Sequence, residues 1–268
     1  MSQDYRLDAV EYYDKFGVPS PVDIEFYRSF VTKTTRLLEL GCGTGRVLVP
    51  LAGVAGYVHG LDHSPAMLAL CRKKLEAAEI GAGRPVVEVG DITSFDLTGR
   101  LPKFDLITAP FRVMQNLETD QQIAGLMRCI KRHLSSDGEA ILNTYHPRFA
   151  PDKLKAIWDT WDGREPAWTE PEGDGTVSLT ENCTRYRDNP LTVFPKLTYR
   201  RYDAQGTQVG ESVLDFAMRV WYPDELLNMI ESHEFAVTKR FGGYEGEPWG
   251  EARELVVVFR HAKVTPRR

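Results

Sequence analysis

The stretch LELGCGTGR, Leu38–Arg46, constrains this chain more than any other: a strand-like apolar run stops in three glycines spaced two apart and turns at once into a helix start, RVLVPLAG. Gly41, Gly43 and Gly45 permit positive φ and the close approach of another group to the backbone. A loop of that kind between a buried strand and a helix belongs at the carboxyl end of a doubly wound sheet, where such folds bind ligands. The following residues agree. YVHGLD, PVVEVGD and FDLITAP predict strands two to four, and GEAILNTYH strand five. SPAMLALCRKKLEAAEIG predicts a helix capped by Ser64, with Pro65 at its first position and Gly81 to end it. TDQQIAGLMRCIKRHLSSDG predicts another over 119–138, with His133 near its end placed to complement the helix dipole. Strands alternating with helices imply an α/β, Rossmann-like sheet.

The flanks read differently. Tyr5, Ala9, Tyr12 and Phe16 form one helical stripe, which Pro19 and Pro21 break. A second helix, starting around Ser20, Pro21 and Asp23, carries Ile24, Tyr27 and Val31 inward. Residues 148–175, rich in turns and with Trp158, Trp161 and Trp168 close together, show no period and read as irregular. TVSLTENCTRY, LTVFPKLTYRRYD and VGESVLDFAMRVWY then alternate with period two between the turn signals DNP and AQG, predicting an antiparallel β insertion. PDELLNMIESHEF resumes a helix with Leu226, Leu227 and Ile230 on one face, and AVTKRFGG with ELVVVFRH closes as a strand pair. The expected organisation is one domain over 1–268: a helical arm (1–36), a ligand-binding core (37–147), a lid insertion (148–221) and a completing segment (222–268).

Composition narrows the partners. A net charge of −5 over 268 residues supplies no basic field for nucleic acid. No stretch reaches the ~20 apolar residues a membrane span needs, and MSQDYRLDAVEYYDKF has no export signal's apolar core. Cys42, Cys71, Cys129 and Cys183 lack metal or disulfide spacing, so neither a metal nor a disulfide is expected and the thiols are read as reduced, in the cytoplasm. Two acids sharpen the ligand. Asp62 ends strand two, where a carboxylate can accept both hydroxyls of a ribose, and Asp91 ends strand three beside the same crevice. Arg46 stands where a dinucleotide fingerprint wants its third glycine, which argues against a pyrophosphate on the helix.

The ordered set LLELGCGTGRVLVPLA, VHGLDHSPAMLALCRKKL, VVEVGDITSFDL, FDLITAPFRVMQNL and IKRHLSSDGEAILNTYHP, over residues 37–147, resembles the class I S-adenosylmethionine-dependent methyltransferases. Within that family the arm and the insertion look most like the small-molecule branch, the glycine-type and amino-sugar N-methyltransferases. The resemblance implies S-adenosylmethionine as cofactor, with the backbone from Gly41 through Cys42 and Gly43 to Gly45 near its methionine part. It further implies Asp62, with His63 beside it, on the ribose; Asp91, Ile92 and Met67 on the adenine; Ala109 and Pro110 beside the methionine moiety; and Arg46 on its carboxylate. Met67 reads equally as a core residue.

Methyl transfer from a sulfonium needs alignment more than acid–base machinery. A protonated acceptor still needs a base, and His146, just past strand five, is the candidate, with a strand-ending histidine as the alternative. Tyr13 is the candidate for an aromatic or hydroxyl role near the sulfonium, and Tyr12, about 100° away on a helix, reads as packing or as substrate contact. Arg112 and Gln115, after strand four, are candidates for the acceptor site; Arg112 reads equally as a solvated charge. The expected function is methylation of a nitrogen or oxygen of a small metabolite, by a monomer or a homodimer. A protein or RNA methyltransferase and an inactive S-adenosylmethionine-binding regulator are the alternatives.

Overall fold

The computed structural model describes residues 10, 12, 21–78, 80 and 85–263. Its strands are β1 (Arg36–Leu40), β2 (Tyr57–Asp62), β3 (Val86–Val89), β4 (Phe104–Ala109), β5 (Leu134–Tyr145), β6 (Trp168–Glu172), β7 (Gly175–Asp188), β8 (Leu191–Tyr202), β9 (Gln208–Asp215), β10 (Met218–Arg219), β11 (Phe235–Phe241) and β12 (Glu254–His261). The helices are α1 (Val22–Arg28), α2 (Leu48–Ala52), α3 (Pro65–Ala77), α4 (Asp120–His133), α5 (Pro151–Thr160) and α6 (Pro223–Ser232). The chain divides into two compact units, 19–146 with 221–268, and 147–220 with 1–18.

The larger unit is built on one sheet in the order β11-β12-β5-β4-β1-β2-β3. β1 runs parallel to β2 and β4, β3 parallel to β2 and β5 parallel to β4, whereas β12 lies antiparallel between β5 and β11. Both faces are covered, which is why these strands read as nearly continuous apolar runs. Leu38, Leu40, Leu255, Val257 and Phe259 pack with Leu126 and Ile130 of α4 and Leu226 and Ile230 of α6. Their neighbours Leu37, Val256 and Val258 pack on the opposite face with Tyr27 of α1, Leu48 and Leu51 of α2 and Leu68 of α3. Each fully buried side chain of this kind contributes roughly 1.5–3 kcal/mol relative to exposure.

Local signals set the helix starts. Ser64 Oγ accepts the Met67 N–H at 3.3 Å, with Pro65 opening α3. The helix ends at Ala77, and Gly81 lies outside the described residues. Thr119 and Gln122 form a reciprocal capping box at the start of α4. That helix ends five residues earlier than expected, at His133, because Leu134 already pairs with Phe104 and Glu139 is the partner of Leu106. The polar SSDG segment is thus an irregularity in β5 and not a last helical turn.

His133 departs from its expected role as a cation at a helix end. Its Nδ1 donates to the Cys129 carbonyl at 2.7 Å and its Nε2 accepts the Leu97 N–H at 2.9 Å, an arrangement that requires a neutral ring. Burial pushes the pKa of His133 down, and burial does the same at His59. Both histidines therefore bind protons more readily in the unfolded chain. Their contribution to stability is complete above the unfolded value of about 6.5 and is lost as pH falls through and below it. The urea midpoint should drop between pH 7.5 and 5.5, and His133→Gln should flatten that drop; an unchanged slope in the variant would contradict the neutral ring.

The smaller unit carries the antiparallel insertion, in the order β10-β8-β7-β6 with β9 also on β8. Two expectations change. Residues 148–175 are not irregular throughout: Pro151 opens α5, which buries Leu154 and Trp158 one turn apart, and β6 pairs with β7. The third expected strand is broken into β9 and β10 at Phe216–Ala217, opposite Pro195 of β8, which has no N–H to give the ladder. Among the described residues no helix is long and apolar enough to cross a membrane, and no group of three metal-ligating side chains occurs.

Candidate functional site

The sheet order reverses between β1 and β4, and the glycine loop leaves β1 at that switch point. Gly41, Gly43 and Gly45 have φ of +67°, +54° and +79°. Their surroundings differ. A Cβ on Gly41 would lie 2.6 Å from the Val113 methyls, and one on Gly45 would lie 2.6 Å from Cys71 Sγ. Over Gly43 the nearest atom is Met67 Sδ at 4.0 Å, so this glycine alone of the three has room for a Cβ. Gly45→Ala should therefore destabilise the fold. Gly43→Ala should instead lower cofactor affinity by about tenfold while costing only ~1–2 kcal/mol of left-handed strain; parallel melting and calorimetry separate the two, and equal effects would deny the cradle.

Asp62 fixes the loop. Its Oδ2 accepts the Gly43 N–H and its Oδ1 accepts the Ser64 N–H, each at 2.8 Å. A carboxylate has about four acceptor positions, so both oxygens keep capacity for hydroxyl donors. His63 stands next to it with Nδ1 3.6 Å from Oδ1. Cys42 turns its thiol inward toward Cys71, while its backbone N–H donates to the Leu61 carbonyl at 3.0 Å and its carbonyl accepts the Gly45 N–H at 2.8 Å. Asp91 is exposed at the end of β3 and its Oδ1 accepts from both N–H and hydroxyl of Thr93, while Ile92 packs on the core. Ala109 and Pro110 are buried at the carboxyl end of β4.

Several expected ligand contacts have partners inside the protein instead. Arg46 makes a bidentate pair with Asp23 of α1, one arm at 2.9 Å, and lies 4.9 Å over the Phe111 ring. The Arg112 guanidinium engages Glu254: burial pulls its pKa down, but the hydrogen bonds and the charge of Glu254 together hold it above the usual arginine value. Gln115 is buried, with Oε1 accepting the Tyr145 N–H at 2.7 Å. Tyr12 stacks on Tyr199 at 5.7 Å and donates its hydroxyl to Glu172 at 3.3 Å, a packing role within the smaller unit. Tyr13 lies outside the described residues.

His146 directly follows β5 and is tied to the residues that lead into β12. Its Nδ1 donates to the Ala252 carbonyl at 2.9 Å, and its backbone N–H donates to the Arg253 carbonyl at 2.9 Å. A carbonyl can only accept, so the proton sits on Nδ1 and the Nε2 lone pair is the basic one.

Residues that the sequence reading missed complete the picture. Asp23 pairs with Arg46, and Asn143 and Glu254 both accept hydrogen bonds from Arg112. Glu39 is buried inside β1, accepts the Leu48 N–H at the start of α2, and burial holds its carboxyl well above the usual carboxylate range. A lone acid within the apolar run LLEL was a visible sign of it.

The cradle fits S-adenosylmethionine: a glycine backbone at Gly43 with room above it, a carboxylate on a strand end with acceptor capacity, and a thioether beside the glycine. Residues 37–138 match the family model described as methyltransferase domain. The chain is 27% identical to the cypemycin N-terminal methyltransferase of a Streptomyces species, over 83% of this chain and 81% of that protein. It is 30% identical to the dTDP-3-amino-3,6-dideoxy-alpha-D-glucopyranose N,N-dimethyltransferase of Streptomyces fradiae, over 57% of this chain but only 52% of that one. The fold is shared with the CcbJ methyltransferase from Streptomyces caelestis, at a TM-score of 0.71, 22% identity and coverage of 97% and 98%. With cradle, sheet order and matched segment in agreement, residues 37–138 form a methyltransferase domain, and the chain shares the Rossmann-like fold of the S-adenosylmethionine-dependent methyltransferases.

Proposed function

We propose that the enzyme methylates an amino nitrogen of a small molecule. The observation that carries this reading is the His146 tautomer: an Nε2 lone pair at the end of β5 can take the proton an ammonium must lose before its nitrogen attacks. The two relatives described above are named for an N-terminus and for an amino sugar, which supports nitrogen over oxygen. When bound, the cofactor supplies an electrophilic methyl on its sulfonium. Asp62 and the Gly43 backbone are the residues proposed to hold its ribose and methionine parts, with Met67, Asp91 and Ile92 toward the adenine and Ala109 and Pro110 beside the methionine.

Arg46 is proposed in a supporting role, holding α1 to the loop through Asp23. The remaining protein contribution is alignment, worth several powers of ten when reacting atoms are held in line. Incubation with methyl-labelled S-adenosylmethionine and a mixed pool of small amines, alcohols, RNA and protein tests the reading. Label on amine nitrogen is expected; label confined to oxygen, RNA or protein would overturn it.

A further inference from the structure

Phe111 and Arg112 follow Pro110 with φ of +55° and +65°, two left-handed non-glycine residues in succession. Such residues are strained and persist only where surrounding contacts over-determine them. Here the contacts close a ring around one carboxylate. Arg112 donates its backbone N–H to Asn143 Oδ1 at 3.1 Å and its Nε to Glu254 Oε1 at 3.1 Å. Asn143 Nδ2 in turn donates to Glu254 Oε2 at 3.0 Å. Asn143 is buried and the Glu254 side chain is 14% exposed against 34% for Arg112, so water competes little at the carboxylate itself.

The ring connects the parts that matter for transfer. On one side, the turn touches the glycine loop: the Val113 methyls fill the place of a Cβ on Gly41, and the Arg46 guanidinium covers Phe111. On the other, the two residues just before Glu254 hold His146 through the carbonyls of Ala252 and Arg253. We propose that Glu254 is a positioning residue for methyl transfer, because its ring with Arg112 and Asn143 holds the left-handed turn against the glycine loop while the start of β12 anchors His146.

The link to His146 rests on the proposed base; the link to the turn does not. The full chain as Glu254→Gln, Arg112→Gln and the double variant is compared by amide hydrogen exchange over 109–116, by S-adenosylmethionine calorimetry and by the single-turnover rate with whichever amine of the labelled pool accepts methyl. Exchange at the turn in Glu254→Gln should rise about tenfold and the transfer rate should fall about tenfold, with cofactor affinity changed less than about threefold. The double variant should be no worse than the worse single, since both break one ring. Unchanged exchange at the turn, an unchanged rate, or effects that multiply in the double variant would each overturn the proposal, as would exchange rising equally across β1 and β4. A failure of the base assignment would show instead as an unaltered rate in His146→Ala and would leave the exchange result as it is.

Discussion

Asp62→Ala is expected to weaken S-adenosylmethionine binding at least ~100-fold, about 2.8 kcal/mol at 1.4 kcal/mol per tenfold. The carboxylate has two duties that alanine abandons together. It holds the Gly43 and Ser64 N–H groups at 2.8 Å, and so fixes the loop that must present its backbone. Its remaining acceptor positions are the ones proposed for ligand hydroxyls. Hydrogen bonds to a charged group contribute roughly 1.5–3 kcal/mol each, so losing the ligand's share alone accounts for the expected size. Asp62→Asn should recover little, because one amide oxygen replaces two acceptors and its NH2 would face an N–H. Isothermal calorimetry on the purified variants decides; a loss under about fivefold would remove Asp62 from the cofactor site.

His146→Ala should lower the single-turnover rate by ~10²-fold or more and delete the imidazole limb of the pH–rate profile. Cofactor affinity should stay within about twofold, which distinguishes a missing base from a damaged cradle. The argument is the proton's position: with Nδ1 donating to Ala252, only Nε2 can receive one. His146→Gln is the informative companion, since it can keep a donor toward the carbonyl without supplying a base. If both variants keep the parent rate and pH profile, alignment alone carries the reaction.

The features legible in the sequence were those written locally. The glycine loop, Ser64 and Pro65 before α3 and the alternation of the insertion strands each act within a few residues. Asp62 was legible because strand end and loop recur in a fixed order. The pairings of Arg46 and Arg112 were not legible because Asp23 and Glu254 stand 23 and 142 residues away and nothing local announces a pairing across such distances. α5 was missed for another reason: prolines around it suggested turns, although Pro151 suits a first helical position and Leu154 and Trp158 keep helical spacing. His133 looked like a cation because its helix-end position was visible while the Leu97 N–H that demands neutrality was not.

The place of β12 governs the order in which the protein can become active as it is made. Leu255–Phe259 are fully buried and sit between β5 and β11. A ribosome releases β1 to β5 long before this strand, so the nascent sheet carries an open edge along β5 until residue 261 has emerged. During that interval the carbonyls that orient His146 and the carboxylate that gathers Arg112 and Asn143 do not yet exist. Synthesis therefore yields the glycine loop early and the surroundings of His146 and Arg112 only once β12 has emerged, and until then the exposed β5 edge is where chaperones would be needed or aggregation would begin.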